Sequence, residues 1–408
     1  MIINKYIMFL VPIMLVGLIS CGGGDEDTSS ANSDSTDSTS SSSSSSSTDS
    51  SSGSSSTSSS GTNQETLPVF ADVPKLSEFT ARMQKYGRLL GDKISSEPSA
   101  SKRIQEVYYD AARTFYQIAE FTGQSEPWHT YARKARNIFV NDYLKPNNYK
   151  PAGWWRFPHG LDLDWRIGGN AASKSDLLTL HSKSPRPGYH VYADRYWEQM
   201  YSRPVAYTLE TNMAAERAGA KRDVDVVEFL VQMALGHIQQ WTTGVYLDPV
   251  LEDQHIQAFM SGLTTAALID YYERSVELGS PDARVPAALK IMADWLWTNM
   301  WVADVGGSAG SWRDTGGTGY GAFRMRNAKV GANPNPAPML NQLILPVYAF
   351  LYKHNCENTY RSKADLIFSG GVALISNLEK GKFFSQQHRM TFRYLKWRAE
   401  GDNAGCNG

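Results

Sequence analysis

The sequence predicts an all-α fold of about six helical hairpins, following a structureless Ser-rich tether. Three observations lead there. Past Leu67 the apolar residues recur at three-and-four spacing, the mark of amphipathic helices. These stretches come in pairs joined by short segments that carry glycine, where a helix C-terminus favours a left-handed residue. From Thr28 to about Thr62 the chain is nearly all Ser, Thr, Asp and Gly, too poor in apolar groups to offset the entropy of ordering.

The elements follow in order. Lys75 to Leu90 reads as an amphipathic helix. Ser101 to Thr122, with Val107, Tyr108, Ala111, Ala112, Phe115, Ile118 and Ala119 on one stripe, reads as one long helix ended by Gly123. Its partner begins at Ser125-Glu126-Pro127, where Ser caps and Pro suits the first turn, and runs to about Leu144. A less regular pair lies between Pro158 and Ser182. The unit recurs as Ser202–Ala218, Gly219 and Val224–Trp241, then as His255–Leu278, Gly279 and Ala283–Met300. It returns as Pro338–His354 and Tyr360–Leu378. The last helix, Ser385–Ala399, has no successor and the first has no predecessor, so the two can complete each other. β structure is expected only in the Gly-rich loop from Val305 to Val330.

Closed on itself, this succession resembles the (α/α)6 toroid, a barrel of inner helices wrapped by outer ones, as in many polysaccharide lyases and glycoside hydrolases. The resemblance covers residues 66–408 and is one of architecture. An α-solenoid that never closes has the same local signature.

The N-terminus reads as an address. Lys5 precedes an apolar run, Ile7–Ile19, too short to span a bilayer and suited to a signal segment. Leu18-Ile19-Ser20-Cys21, followed by Gly22-Gly23-Gly24, resembles the lipobox of bacterial lipoproteins. The resemblance implies a signal peptide over 1–20, a lipidated Cys21, a linker over 21–65, and a lipid-anchored protein of the cell envelope, in the outer membrane and facing periplasm or exterior. If Cys21 is lipidated, Cys356 and Cys406 form the only available disulfide pair; the other reading is two unpaired thiols.

Composition excludes several classes. Forty Lys and Arg balance 41 Asp and Glu, which argues against a protein that coats nucleic acid. No Cys-x-x-Cys, His-Glu-x-x-His, phosphate-loop, Gly-x-Ser-x-Gly or dinucleotide signature is present. No cofactor is expected; Asp162 and Asp164 are hard oxygen ligands and so a weak signal for Ca2+. A monomer is expected, with a polysaccharide or oligosaccharide and the membrane as partners.

Candidate site residues gather between the hairpins. Trp154, Trp155, Arg156, His159, Asp162, Asp164 and Trp165 crowd one loop, and Trp faces stack well on sugar rings, although large aromatics also plug cores. Tyr189 and His190 precede Glu198, then Arg203, Tyr207 and Glu210, whose i, i+4, i+7 spacing places all three on one helical face. Asp253, His255 and Gln257 open a later helix, where capping alone would explain the acid. Tyr320, Arg324 and Asn341 mark a Gly-rich rim. Gln387, with His388, Arg389, Arg393 and Trp397, begins the closing helix, facing Tyr108, Tyr109 and Asp110 if the ring shuts.

β-Elimination from a uronate needs a group that neutralises the carboxylate, a base for the C5 proton and an acid for the leaving oxygen. Arg156, Arg203, Asn341 and Gln257 suit the first role, and His159, Tyr189, His190, Tyr207 and His255 the others. A glycoside hydrolase would instead draw two carboxylates from Asp110, Asp162, Asp164, Glu198, Glu210 and Asp253. A glycan-binding lipoprotein without catalysis would use the same Trp-rich loop and tether.

Overall fold

The computed structural model describes residues 72–184, 186, 201–244, 256–306, 318–327 and 335–406. The expected signal peptide, Cys21 and linker lie outside the described residues, as do Tyr189, His190, Glu198, Asp253 and His255.

Helices dominate, as the periodicity requires: α1 Leu76–Ser96, α2 Ala100–Glu106, α3 Ala111–Thr122, α4 Trp128–Ile138, α5 His159–Arg166, α6 Ala171–Lys183 and α7 Ser202–Arg217. They continue as α8 Val224–Thr243, α9 Ala258–Glu277, α10 Arg284–Asn299, α11 Asn341–Asn355, α12 Asn358–Leu374, α13 Gly381–His388 and α14 Thr391–Asn403. The strands are two residues long. β1 (Ile256–Gln257) pairs with β4 (Arg326–Asn327), and β2 (Trp301–Val302) with β3 (Ala322–Phe323), both antiparallel. Among the described residues no helix is long and apolar enough to cross a membrane.

The glycines foreseen at the turns take the left-handed backbone, with φ of 64° at Gly123, 97° at Gly219 and 74° at Gly279. Two expected helices are broken, and both breaks position polar groups. The stretch Ser101–Thr122 is interrupted at Val107–Asp110, where Tyr109 and Asp110 adopt φ of 66° and 67°. Asp110 then caps α3, its Oδ1 accepting from Arg113 N at 3.3 Å, and its Oδ2 accepts from Gly160 N at 3.0 Å. These bonds satisfy a buried carboxylate that an unbroken helix would have left without backbone donors. The stretch Ser385–Ala399 is likewise interrupted, at Arg389 and Met390 between α13 and α14.

First members of the hairpins pack in succession: α3 on α5, α5 on α7, α7 on α9, α9 on α11 and α11 on α14. Their mates α4, α6, α8, α10 and α12 lie against them. Helices α7, α9 and α11 are buried nearly all round, which explains their apolar sequences. Leu268, Ile269, Leu343, Ile344 and Leu345 are wholly buried, each worth about 1.5–3 kcal/mol.

The two ends of the described chain meet. Helix α13 packs on α1, α2, α3 and α14, Gly381 N donates to Glu106 Oε2 at 2.7 Å, and Arg82 Nη1 donates to Val372 O at 2.5 Å. Cys356, after α11, is disulfide-bonded to Cys406, after α14, with 4.6 Å between Cα atoms.

Candidate functional site

Helices α3, α5, α7, α9 and α14 and the α13–α14 junction converge on one buried polar cluster. His159 begins α5 and its side chain is 13% exposed. Its Nε2 is 3.0 Å from Asp270 Oδ2, its Nδ1 is 3.3 Å from Arg113 Nη1, and Glu210 Oε2 lies 3.7 Å from the same Nδ1. A guanidinium can only donate, so Nδ1 is the acceptor and the ring proton sits on Nε2, donated to Asp270. Arg393, from α14, donates to the other oxygen of Asp270.

Gly160 allows α3 and α5 to approach. A Cβ there would stand 2.3 Å from Asp110 Oδ1 and 2.9 Å from the Ala112 side chain, so only glycine lets the Asp110 cap form. That contact places His159, one residue earlier, beside Arg113.

Burial decides the protonation states. It draws the His159 pKa down to about 3, helped by Arg113, so the imidazole is neutral. Burial, reinforced by Asp270, lifts Glu210 to about 7 against the opposing pull of Arg389, Arg113 and Arg393. Burial works most strongly against an ionised Asp270, but Arg393, the His159 N–H and Arg217 together outweigh it and hold the carboxyl well below its usual range. Tyr207 is pushed well above its ordinary value by burial and keeps its proton.

Several of these groups are unfinished. Among the described residues, Tyr207 Oη, Glu210 Oε1, Arg389 Nε and Nη2, and Arg393 Nη1 are buried without a hydrogen-bond partner. The Arg389 guanidinium lies 5.3 Å from the Tyr207 ring centre and 5.5 Å from that of Tyr109. Buried polar atoms are paired in the great majority of cases, so a local group of orphans marks a place built for a ligand or water.

By spacing alone His159, Glu210 and Asp270 could hold a metal ion, since their ligand atoms fall within 4.8 Å of one another. The charges oppose it. Arg113 occupies His159 Nδ1 and Arg393 occupies Asp270, so a cation would meet guanidinium groups at two of its three ligands. The Ca2+ expectation at Asp162 and Asp164 finds both acids taken. Asp162 binds Arg166 at 2.7 Å, while Asp164 accepts from Tyr116, Ser173 and Asn170.

The spacing read on α7 holds in part: Tyr207 and Glu210 enter the cluster, and Arg203 lies at its edge. Its guanidinium sits 5.9 Å from the rings of both Trp154 and Phe259. Trp154 is 48% exposed beside it. Trp155 is instead a core plug, 4.4 Å from Tyr108 and 4.8 Å from Tyr143 between ring centres. Arg156 is buried and donates to Thr208 Oγ1. Trp165 is half-buried under Lys174.

Other expected residues are not brought to the cluster. Asn341 is wholly buried, its Nδ2 donating to Gly321 O and Ile367 O, both at 3.1 Å, and its Oδ1 accepting from Phe323 N at 3.2 Å. It clamps a strand to α12 and has no amide valence left for a carboxylate. Gln387 Nε2 donates to Met339 O at 2.6 Å. Gln257 belongs to β1, Tyr320 lies under Lys75, and Arg324 forms a lone bridge with Pro336.

Arg113 and Asp270 were not foreseen. A usable signal existed for Asp270, a single acid after the apolar run Ala266-Ala267-Leu268-Ile269 on a helix buried all round. No family model, curated protein or solved structure matches the chain.

Proposed function

We propose that this chain is a polysaccharide-degrading enzyme that cleaves a uronate-containing polymer by β-elimination. The observation that carries the reading is the set of buried, unpartnered donors of Arg389 and Arg393 beside a neutral imidazole and a protonated, unpartnered phenol. Free guanidinium N–H groups suit the substrate carboxylate, whose charge must be neutralised to acidify C5. His159 is the base and Tyr207 the acid. The C5 proton moves to Nδ1, the C–H electron pair becomes the C4–C5 π bond, the C4–O bond breaks, and the leaving oxygen takes the Tyr207 proton. Solvent then returns a proton from imidazolium to phenolate. Arg389 and Arg393 thus take the role expected of Arg156 and Asn341, whose polar groups are engaged elsewhere.

The same reading extends to the architecture. The succession of first-member helices and the meeting of α13 with α1 and α3 support an (α/α)6 toroid with the cluster in its lumen. The lipobox resemblance supports lipid anchoring at Cys21, with residues 21–65 as tether.

A hydrolase is favoured by one observation, the approach of Glu210 and Asp270 oxygens to within 4.8 Å. Retaining glycosidases hold their carboxyl groups about 5–5.5 Å apart. Against this, Arg393 and His159 each bond one oxygen of Asp270, which draws charge from that carboxylate and makes it a poorer nucleophile.

One assay separates the readings. The chain is incubated with alginate, glucuronan, pectate and neutral polysaccharides, and near-ultraviolet absorbance and reducing ends are followed together. Elimination raises both with an acidic polymer. Reducing ends without absorbance would move the reaction to Glu210, and silence with retention on immobilised polymer would leave a binding protein.

A further inference from the structure

The imidazole of His159 is held from both sides by residues of other helices. On the Nε2 side stands Asp270 of α9, itself bonded to Arg393 of α14; on the Nδ1 side stand Arg113 of α3 and Glu210 of α7. Arg389 acts on Glu210, Arg217 on Asp270, and Glu273 on both Asp270 and Arg393. Asp270 is 2% exposed and lies in the middle of a helix buried all round. A carboxylate there is costly, and pairing with Arg393 alone would not require the second oxygen to point at a ring nitrogen.

We infer that Asp270 is the positioning residue for His159. Its Oδ2 accepts the Nε2 proton at 3.0 Å, which fixes one tautomer and turns the only basic lone pair, that of Nδ1, toward Arg113 and Glu210. When Nδ1 takes a proton, the carboxylate balances the imidazolium without taking the Nε2 proton itself, the role an acid plays behind a catalytic histidine in hydrolytic triads. Arg393, bonded to the other oxygen, prevents Asp270 from turning away. The contact of Arg113 with Nδ1, at 3.3 Å, is the weaker one, and an incoming C–H must displace it.

The identity of the incoming proton rests on the elimination reading, whereas the tautomer does not, so the two are tested apart. Full-length, 15N-labelled protein gives long-range 1H–15N correlations of its imidazoles, and His159 is assigned by the signal lost in His159→Gln. The expected wild-type spectrum shows His159 purely as the Nε2–H form. Asp270→Asn is expected to shift it to the Nδ1–H form or a mixture, and Asp270→Glu to keep Nε2–H. On a polymer that gives near-ultraviolet absorbance, Asp270→Asn is expected to lower kcat by about 10²–10⁴-fold with KM changed less than about threefold.

An Nδ1–H wild-type signal would overturn the inference, as would an Asp270→Asn protein that keeps both tautomer and kcat. If Asp270→Asn does not fold, Arg393→Gln retains the acid but frees it, and the wild-type tautomer still decides. Correct tautomers with no polymer cleaved would remove the elimination reading and leave the positioning of His159 standing. Cleavage by an Asp270→Asn protein with unchanged tautomer would do the reverse.

Discussion

Helix α14 carries two arginines about a turn and a half apart, Arg398 buried and Arg393 part-buried, and their surroundings differ in one respect. Around Arg398 every donor nitrogen is used. Nε donates to Asp365 Oδ1 at 2.9 Å, Nη1 to Asp402 Oδ2 at 2.6 Å, and Nη2 to Asp365 Oδ2 at 3.2 Å and Asp72 O at 3.3 Å. Tyr394, Tyr352 and Arg361 take the remaining carboxylate positions, and the Cys356–Cys406 disulfide closes over the same end. Around Arg393 and Arg389, in contrast, guanidinium and phenol atoms are buried without partners among the described residues. Both regions bear the desolvation cost of buried charge; only the first offsets it with a complete set of bonds. The first is therefore a clamp for the end of the described chain, and the second is where the proposed reaction would supply the missing partners.

The largest expected contrast comes from the tyrosines of the two regions. Tyr207→Phe removes a hydroxyl that bonds nothing, so folding stability should hold or rise by about 1 kcal/mol while kcat falls about 10²–10⁴-fold. Tyr394→Phe removes a hydroxyl that donates to Asp365 at 2.6 Å and should cost about 1–3 kcal/mol of stability with kcat intact. Urea unfolding and initial rates on the two proteins measure this. Equal effects at both positions would erase the distinction.

The arginines give the next largest effect. Arg398→Ala leaves Asp365 and Asp402 short of a buried cation and should cost about 3–5 kcal/mol, visible as a lowered urea midpoint with normal activity per folded molecule. Arg389→Ala relieves a buried charge with few bonds of its own. It should lose about 10²–10³-fold in kcat/KM while its urea midpoint moves far less.

The pH dependence of stability sharpens the same comparison, because two groups of the central cluster oppose each other. Glu210, raised from 4.5 to about 7, binds more protons folded than unfolded, so its share of stability falls as pH rises through that window. His159, lowered from 6.5 to about 3, binds fewer protons folded, so its share grows as pH rises from 3 to 6.5. Each slope is about 1.4 kcal/mol per pH unit, and where the windows overlap they cancel. Glu210→Gln should expose a stability that climbs to pH 6.5 and then levels, and His159→Gln one that falls from pH 4.5 to 7. Urea midpoints across pH check both signs, and Arg398→Ala should show neither change.

Much of the fold was legible because hairpins of amphipathic helices write their period and their glycines directly into the sequence. The breaks at Val107–Asp110 and Arg389–Met390 were not legible. Local propensity there is helical, and the bonds that favour a break, Gly160 N to Asp110 among them, join residues far apart in the chain. The site divided along the same line. Tyr207 and Glu210 share a helix, so spacing alone aligned them. Asp270, Arg113 and Arg393 come from three helices, and only tertiary packing brings them to His159. Asn341 misled because an amide at a helix start resembles a ligand contact until its bonds to Gly321 and Ile367 are visible.

The smallest expected effect on catalysis concerns one of two adjacent residues of identical type. Trp155 packs between Tyr108 and Tyr143 at 8% exposure, and Trp155→Ala should lose about 3–5 kcal/mol as any large core truncation does. Trp154 projects outward at 48% exposure, tied to the core through its backbone carbonyl, which accepts from Tyr108 Oη at 3.3 Å and survives substitution. The Arg203 guanidinium lies 5.9 Å from its ring centre, and under the proposed function the exposed ring face is offered to a sugar. Trp154→Ala should therefore leave stability within about 0.5 kcal/mol and kcat unchanged, while KM rises about 5–10-fold through loss of binding made equally before and during reaction. If KM stays constant and kcat falls instead, the ring acts on the central cluster, and Arg203 becomes the residue through which it does so.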